Sequence, residues 1–82
     1  MSTDPTEARL KRRLAANIRA ERARRDWSQD QLAEHAGFGS PKAVSRIETC
    51  ESEPGFTKVV KLAWALGVPV ETLFAGMEQP ER

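Results

Sequence analysis

The sequence predicts an all-α domain, and three features of the chain support this class. Apolar residues recur at helical spacing, for example at Leu10, Leu14 and Ile18, and strict alternation of β-branched residues is not found. Polar residues that cap helices precede the apolar stretches, and glycines follow several of them. The 82 residues are enough for one domain with a small core. We therefore expect one helical domain.

The first predicted helix is long. Asp4, Pro5 and Glu7 supply a cap, a proline in the first turn and an acidic third position, which is typical of a helix start. No helix breaker follows before Arg25, and the apolar stripe recurs every four residues. We expect an extended first helix of roughly twenty residues, or about 30 Å.

Residues 28–48 are the most informative segment, since they predict two short helices joined by a turn. The first helix, about 29–36, opens with a serine capping box and is stopped by Gly37, which adopts positive φ without steric cost. The second, about 41–49, is opened by Ser40 and a proline. This pattern predicts a helix-turn-helix, the motif that lays one helix across a DNA backbone and the next in the major groove.

Two further helices complete the predicted domain. A fourth runs from about residue 56 to Leu66 and is stopped by Gly67, and a single-turn helix follows at about 71–74. We divide the chain into a flexible N-terminal arm at 1–4, a helix-turn-helix domain at 5–76 and a flexible tail at 77–82.

Composition excludes several classes of protein. No run of about eighteen apolar residues is found, so a membrane span is not expected. The N-terminal segment lacks the apolar stretch of a secretory signal. A single cysteine, Cys50, excludes an intrachain disulfide and a cysteine-based metal cluster. These features are typical of a cytoplasmic protein.

The charge is unevenly distributed along the chain. The net charge of +1 by itself argues against a nucleic-acid-binding protein. Residues 1–27, however, carry eight Lys and Arg against four Asp and Glu, which is a local charge of +4. Residues 28–50 carry −1 and residues 51–82 carry −2. Because a local basic face matters more than the total, a nucleic-acid partner stays open.

Five parts of the sequence form one combined pattern: NIRAER at 17–22, WSQDQLAEHAG at 27–37, AVSRIE at 43–48, Pro54, and LAWALGVPVETLF at 62–74. Together they resemble the Cro and phage-repressor type of helix-turn-helix proteins, also called the XRE family. The resemblance covers roughly residues 16–76 and implies a five-helix bundle of the lambda-repressor-like type. It also implies a protein that binds double-stranded operator DNA as a symmetric homodimer.

The chain departs from this family pattern at two places. The turn after Gly37 carries one extra residue, which makes the angle between helices 2 and 3 harder to infer. Cys50 stands where the family has a glycine after helix 3, and the acidic Glu51 and Glu53 stand where basic residues are common. We expect this loop to contribute less phosphate contact than in relatives, or to point away from DNA.

The candidate base contacts lie on helix 3. The helical period turns its valine and isoleucine inward and exposes Lys42, Ser45 and Arg46. Arg46 and Lys42 can donate to guanine O6 and N7, and Ala43 can offer its methyl group to thymine. We predict base contacts from all four. The alternatives are solvated charges on an amphipathic helix, or an Arg46 that only clamps a phosphate.

The candidate phosphate contacts are spread over three regions. They are Ser28, Gln29, Ser40, Arg12, Arg13 and Arg19. The resemblance implies that the Gln29 side chain meets a phosphate at the start of helix 2; the alternative is a plain helix cap with an exposed glutamine. For the basic N-terminal segment, added phosphate contact and a solvated helix face are both open.

Two other pairs of residues are given structural roles. The family often pairs an arginine of helix 1 with the glutamate that closes helix 3, which implies an ion pair between Arg22 and Glu48. Trp64 and Phe74 are the candidate dimer interface, since large apolar side chains near a surface often mark one. Local packing of Trp64 is the alternative.

The leading functional hypothesis is a transcriptional regulator, in most cases a repressor, that acts as a cytoplasmic, nucleoid-associated homodimer. One alternative is an antitoxin or restriction-modification controller that also holds a protein partner. Another is a protein-interaction module that has lost DNA binding. No residue set supports an enzyme, a metal, a cofactor or a small-molecule ligand.

Overall fold

The structure is a computed structural model that describes residues 5–79, and this part of the chain forms five α-helices and no strand. The helices are α1 Pro5–Arg24, α2 Gln29–His35, α3 Lys42–Glu48, α4 Phe56–Leu66 and α5 Val70–Leu73. The predicted all-α, five-helix class with a long first helix is confirmed. The predicted bounds of α2 and α3 differ from the observed ones by a single residue at an end. The predicted arm and the last three residues of the predicted tail lie outside the described residues.

Every helix contributes to one core. The largest fully buried side chains are Ile18, Leu32, Val44, Leu62 and Leu73, which come from α1, α2, α3, α4 and α5 in that order. Burying a side chain of this size stabilises the fold by about 1.5–3 kcal/mol. Because α3 packs on both α1 and α2, its inner face is fixed from behind while its outer face stays open.

A serine hydroxyl accepts a backbone hydrogen bond at the start of each helix of the helix-turn-helix. Ser28 is the cap of α2, whereas the cap position of α3 is occupied by Pro41, one residue later than the predicted cap at Ser40. The Ser28 hydroxyl accepts a hydrogen bond from the Gln31 N–H at 3.0 Å, and the Gln31 side chain accepts one from the Ser28 N–H at 2.7 Å. The Ser40 hydroxyl accepts from the Lys42 N–H at 3.2 Å. In the longer turn between them, Phe38 is half-buried against the core. The extra turn residue is therefore accommodated without loosening the ends of α2 and α3.

The first four helices end in the same way. A left-handed residue follows each helix, at the second position after α1, α2 and α3 and at the first position after α4. The φ angles are 53° at Asp26, 73° at Gly37, 64° at Cys50 and 71° at Gly67. The following N–H then donates to the carbonyl five residues earlier: Trp27 to Arg22, Phe38 to Ala33, Glu51 to Arg46, and Val68 to Ala63. This is the Schellman arrangement, for which glycine is preferred because a Cβ is strained at positive φ. Cys50 therefore stands where the backbone favours glycine.

A buried carboxylate joins the first three helices. The Glu48 side chain, at the end of α3, is 2% exposed. Its Oε2 accepts from Arg22 Nε at 2.8 Å, and its Oε1 accepts from Arg22 Nη2 at 2.9 Å and Gln29 Nε2 at 3.0 Å. The Glu48 carbonyl accepts from Arg19 Nη1 at 2.8 Å. The ion pair of Arg22 with Glu48 is thus present and lies at the junction of α1, α2 and α3.

The Arg22 guanidinium makes one further contact besides its pair with Glu48. Arg22 also donates from Nη1 to the Trp27 carbonyl at 2.8 Å, so its guanidinium spans the α1–α2 connection. Its hydrogen bonds to Glu48 raise the pKa of Arg22 above its ordinary value, outweighing the opposite effect of partial burial. The bidentate geometry fixes the direction of α3 relative to α1.

Glu48→Ala should lower the free energy of unfolding by about 3 kcal/mol, because it leaves the Arg22 and Gln29 donors without their buried acceptor. Urea denaturation followed by circular dichroism measures this loss. The control is Arg24→Ala, which removes an exposed partner of Glu21 and should cost no more than about 0.5 kcal/mol. Equal stability of the Glu48→Ala and Arg24→Ala variants would contradict the structural role assigned to Glu48.

Cys50→Gly should raise the free energy of unfolding by about 0.5–1 kcal/mol, because relief of the left-handed strain exceeds the added entropy of glycine in the unfolded chain. Thermal denaturation under reducing conditions measures the change. Cys50→Ala is the matched control, since alanine keeps the strain and should not stabilise the fold. A glycine variant no more stable than the alanine variant would show that the backbone at Cys50 is not strained.

Candidate nucleic-acid interface

The outer face of α3 carries two cations without partners. Lys42 and Arg46 are exposed, and neither side chain has a hydrogen bond or ion pair within residues 5–79. Ala43 and Ser45 are half-buried beside them, while the valine and isoleucine of α3 are buried. The predicted base-contacting residues thus share one face of a helix whose opposite face is fixed in the core.

This arrangement suits recognition of an anionic, hydrogen-bonding surface. An α-helix fits the width of the DNA major groove, where base pairs present acceptors at fixed positions. The Arg46 guanidinium has two parallel donors for guanine O6 and N7, and the Lys42 ammonium is a point charge with three donors. Since Lys42 and Arg46 lack partners within residues 5–79, they could contact DNA without breaking an existing hydrogen bond.

The predicted phosphate contacts at the two helix starts differ in their surroundings. Ser28 and Ser40 are exposed, and each hydroxyl already accepts a capping hydrogen bond. Gln29 is half-buried, and its side-chain Nε2 donates to the Glu48 carboxylate at 3.0 Å. One hydrogen of this amide is therefore used inside the fold, and a contact between Gln29 and a phosphate stays a prediction.

Most of the basic residues of the first third of the chain are engaged within the fold. The partnered side chains are Lys11, Arg19, Arg22, Arg24 and Arg25. Arg25 in addition donates to the Leu66 carbonyl of α4. The local charge of +4 in residues 1–27 thus overstates the positive field available to a partner. Arg19, predicted to contact phosphate, instead has one of its donors on the Glu48 carbonyl.

The other two predicted contacts of α1 lie on different faces. Arg13 lies over Gly76, since a Cβ built on that glycine would be 2.8 Å from the arginine Nε. Asn17, one turn later, donates to the Leu73 and Ala75 carbonyls at 2.8 and 2.9 Å, so this face of α1 adjoins α5 and not α3. Arg12 is exposed and has no hydrogen bond or ion pair among the described residues.

A second pair of free cations was missed by the sequence interpretation. Lys58 and Lys61 on α4 are exposed and line a shallow pocket of about 220 Å³ together with Ser40, Ala43 and the turn residues 37–39. The signal in the sequence was their spacing of three residues, which places two lysines on one helix face. The sequence did not show which part of the domain this face of α4 lies against, and only the fold shows it.

Three large aromatic side chains are left uncovered on the far side of α4 and on α5. The exposed fractions are 83% at Phe56, 75% at Trp64 and 42% at Phe74. Phe56 and Phe74 line an apolar groove of about 680 Å³, which also includes Leu10 of α1 and Val60 of α4. Trp64, one turn beyond Val60, continues the apolar stripe of α4. These side chains have no covering element within the described part of the chain.

Other chemistry finds little support in the fold. Residues 5–79 contain no group of three or more His, Cys, Asp or Glu side chains that could hold a metal ion. None of the described helices is both long and apolar enough to cross a bilayer. Cys50 is a half-buried free thiol, and His35 lies against Trp27 with a ring-centroid distance of 4.1 Å.

Comparison with known proteins assigns the chain to a family. A family model described as a helix-turn-helix domain matches residues 13–74. The crystal structure of a hypothetical transcription factor, NHTF from Neisseria, superposes with a TM-score of 0.78 and is 32% identical, covering 90% of this chain and 84% of that chain. A search of curated proteins gives no match. The family match spans the helices that carry Lys42, Arg46 and Glu48, and on these grounds the chain belongs to the helix-turn-helix domain family.

Proposed function

We propose that this protein is a sequence-specific DNA-binding transcriptional regulator of the Cro and XRE type that binds a two-fold symmetric operator as a homodimer. The observation that carries the proposal is the fixed α3 helix with Lys42 and Arg46 unpaired on its outer face. The similarity to a transcription factor from Neisseria supports the same class of function. Repression by occluding a promoter is the outcome we propose, since the domain over residues 5–79 can block a site simply by occupying it.

In this proposal α3 enters the major groove and its outer face makes the sequence-specific contacts. Arg46 donates to guanine O6 and N7, and Lys42 donates to an acceptor nearer the start of the helix. Ser45 contacts a base or phosphate, and the Ala43 methyl meets a thymine methyl. The Glu48 ion pair sets the angle at which these side chains reach the bases.

The structure favours fewer of the phosphate-contacting residues than the sequence alone suggested. Ser40 and Arg12 are exposed and are the stronger candidates. Ser28 contributes through its exposed hydroxyl, whereas Gln29 and Arg19 can contribute only from donors not used inside the fold. Arg13 is exposed and lies over Gly76. These contacts position the protein on the duplex without reading its sequence.

In the proposed homodimer, the two protomers contact each other through the exposed aromatic side chains of α4 and α5. Trp64 and Phe74 were assigned to it from the sequence, and both are exposed, Trp64 on α4 and Phe74 at the end of α5. Aromatic side chains of this kind are often the energetic centre of an interface. An antitoxin or restriction-modification controller is the second candidate function, favoured by the apolar groove, which could instead hold a different protein.

Selection from random duplex DNA should enrich a palindrome with half-sites about one helical turn apart. Arg46→Ala should lose about 1–3 kcal/mol of discrimination at one guanine of each half-site, because its bidentate contact is removed. Fluorescence anisotropy on the selected duplex and single-base variants measures this loss. Arg24→Ala, which removes an exposed arginine of α1, is the matched control and should keep the same discrimination.

Absence of any enriched sequence, with a folded helical protein, would overturn the proposal of specific DNA binding. An enriched site that Arg46→Ala binds with unchanged preference would place base recognition elsewhere on the molecule. Enrichment of a site without two-fold symmetry would support specific DNA binding but contradict the proposed homodimer.

Trp64→Ser should weaken self-association by about 2 kcal/mol, or roughly 30-fold, because it removes a large apolar side chain from the proposed interface. Sedimentation equilibrium over a concentration series measures this change. Glu34→Ala, an exposed change on α2, is the control and should leave the association constant unaltered. A wild-type protein that remains monomeric at the concentrations that saturate DNA would contradict the proposed dimer.

A further inference from the structure

We propose that Lys58 and Lys61 of α4, together with the Ser40 hydroxyl, form a phosphate-binding patch that holds one DNA strand beside the start of α3. We call these three residues the α4 patch. This inference rests on the proposed DNA binding and adds contacts that neither the motif nor the family match assigns.

The α4 patch lies directly beside the proposed base-contacting face. Lys58 and Lys61 share their shallow pocket with Ser40 and Ala43, so the two ammonium groups flank the first turn of α3. A helix in the major groove has a phosphate backbone running along each side of it. Cations that border one end of such a helix therefore lie where a strand would pass.

One of the lysines is oriented by an aromatic ring. The Lys58 Nζ lies 5.9 Å from the centroid of Phe38, within the range of a cation–π contact. Phe38 belongs to the α2–α3 turn and packs partly against the core, so the ring is a fixed platform. This contact restricts the lysine side chain without neutralising it, which lowers the entropic cost of binding an anion.

The charges around the α4 patch leave it free for an external anion. Lys58 and Lys61 form no ion pair with any acidic group in residues 5–79. The acidic loop after α3 faces other partners: the Glu51 carboxylate accepts from the Thr49 hydroxyl at 2.8 Å, and Glu53 lines the apolar groove. The two lysines are therefore without an acidic partner among residues 5–79.

The helical period separates the α4 patch from the apolar groove. Lys58 and Lys61 line the pocket at the α2–α3 turn, whereas Phe56 and Val60 line the groove against α1 and α5. The two sets lie on opposite flanks of the buried stripe of α4. A DNA strand on the pocket flank would therefore leave the groove open to a second protomer, whereas Trp64, three residues after Lys61, is the neighbour of that lysine on the helix surface.

The test is the double variant Lys58→Ala/Lys61→Ala, assayed on the selected operator and on an unrelated duplex over a salt series. Because phosphate contacts carry no sequence information, binding to both duplexes should weaken by similar factors of about tenfold or more. The slope of log K against log salt should shrink by about 0.9 for each phosphate that is no longer neutralised, or roughly 3.6 for a dimer. Circular dichroism checks that the variant is folded, as expected for two exposed side chains.

Two further variants make the result specific. Lys11→Ala/Arg24→Ala removes the same charge from α1, where both side chains pair with neighbouring glutamates, and should leave the slope nearly unchanged. Lys58→Arg/Lys61→Arg keeps the charge of the wild-type patch and should keep its slope.

The outcomes separate this inference from the function on which it rests. A wild-type protein that binds no duplex overturns both. A wild-type protein that binds its operator, with an unchanged salt slope in the double alanine variant, overturns the α4 patch alone. Weakening confined to the operator, with binding to the unrelated duplex intact, also overturns it, since the lysines would then be reading bases.

Discussion

The buried carboxylate of Glu48 is the constraint on which the arrangement of this domain depends. A charge removed from water must be paired and hydrogen-bonded, and the donors that satisfy it come from Arg22 of α1 and Gln29 of α2. Because those donors belong to different helices, Glu48 reaches all of them in only one orientation of α3. Such a pair adds little net stability compared with an apolar contact, but any other packing would leave a charge unsatisfied. The main effect of Glu48 is therefore on the orientation of α3, because it holds the outer face of this helix at a fixed angle.

The same pairing changes how the charge of the chain must be interpreted. Counting residues places most positive charge in the first third of the sequence, yet the fold uses many of those arginines to bind carbonyls and carboxylates of its own helices. Four cations of α3 and α4 have no hydrogen bond or ion pair within residues 5–79, and these are Lys42, Arg46, Lys58 and Lys61. A net charge near zero gives little long-range attraction to DNA, so binding relies on a few unpaired side chains at close range.

Local signals predicted the helices well, and long-range contacts explain what they missed. Caps and stops such as Ser28 and Gly37 depend on residues within one turn, so helix bounds follow from the sequence to within about one residue. The inward turn of Gln29 depends on Glu48, nineteen positions away, and no local pattern encodes it. The proximity of Lys58 to Ser40 likewise depends on how α4 packs against the α2–α3 turn. The exposure of Lys42 and Arg46 on α3 was predictable because the helical period alone separates the faces of a helix.

The two sets of cations are suited to different tasks because their supports differ. Arg46 projects from a helix whose position is fixed by the core and by an ion pair, so its planar donors can meet base edges with the geometric precision that discrimination requires. Lys58 and Lys61 are point charges on flexible stems, which follow a phosphate over a range of positions and are insensitive to sequence. In the proposed complex, lysines beside the start of α3 would hold the DNA backbone in the register in which Arg46 contacts the bases. Affinity and specificity would then depend on separate residues, and each could be altered without dismantling the fold that Glu48 holds together.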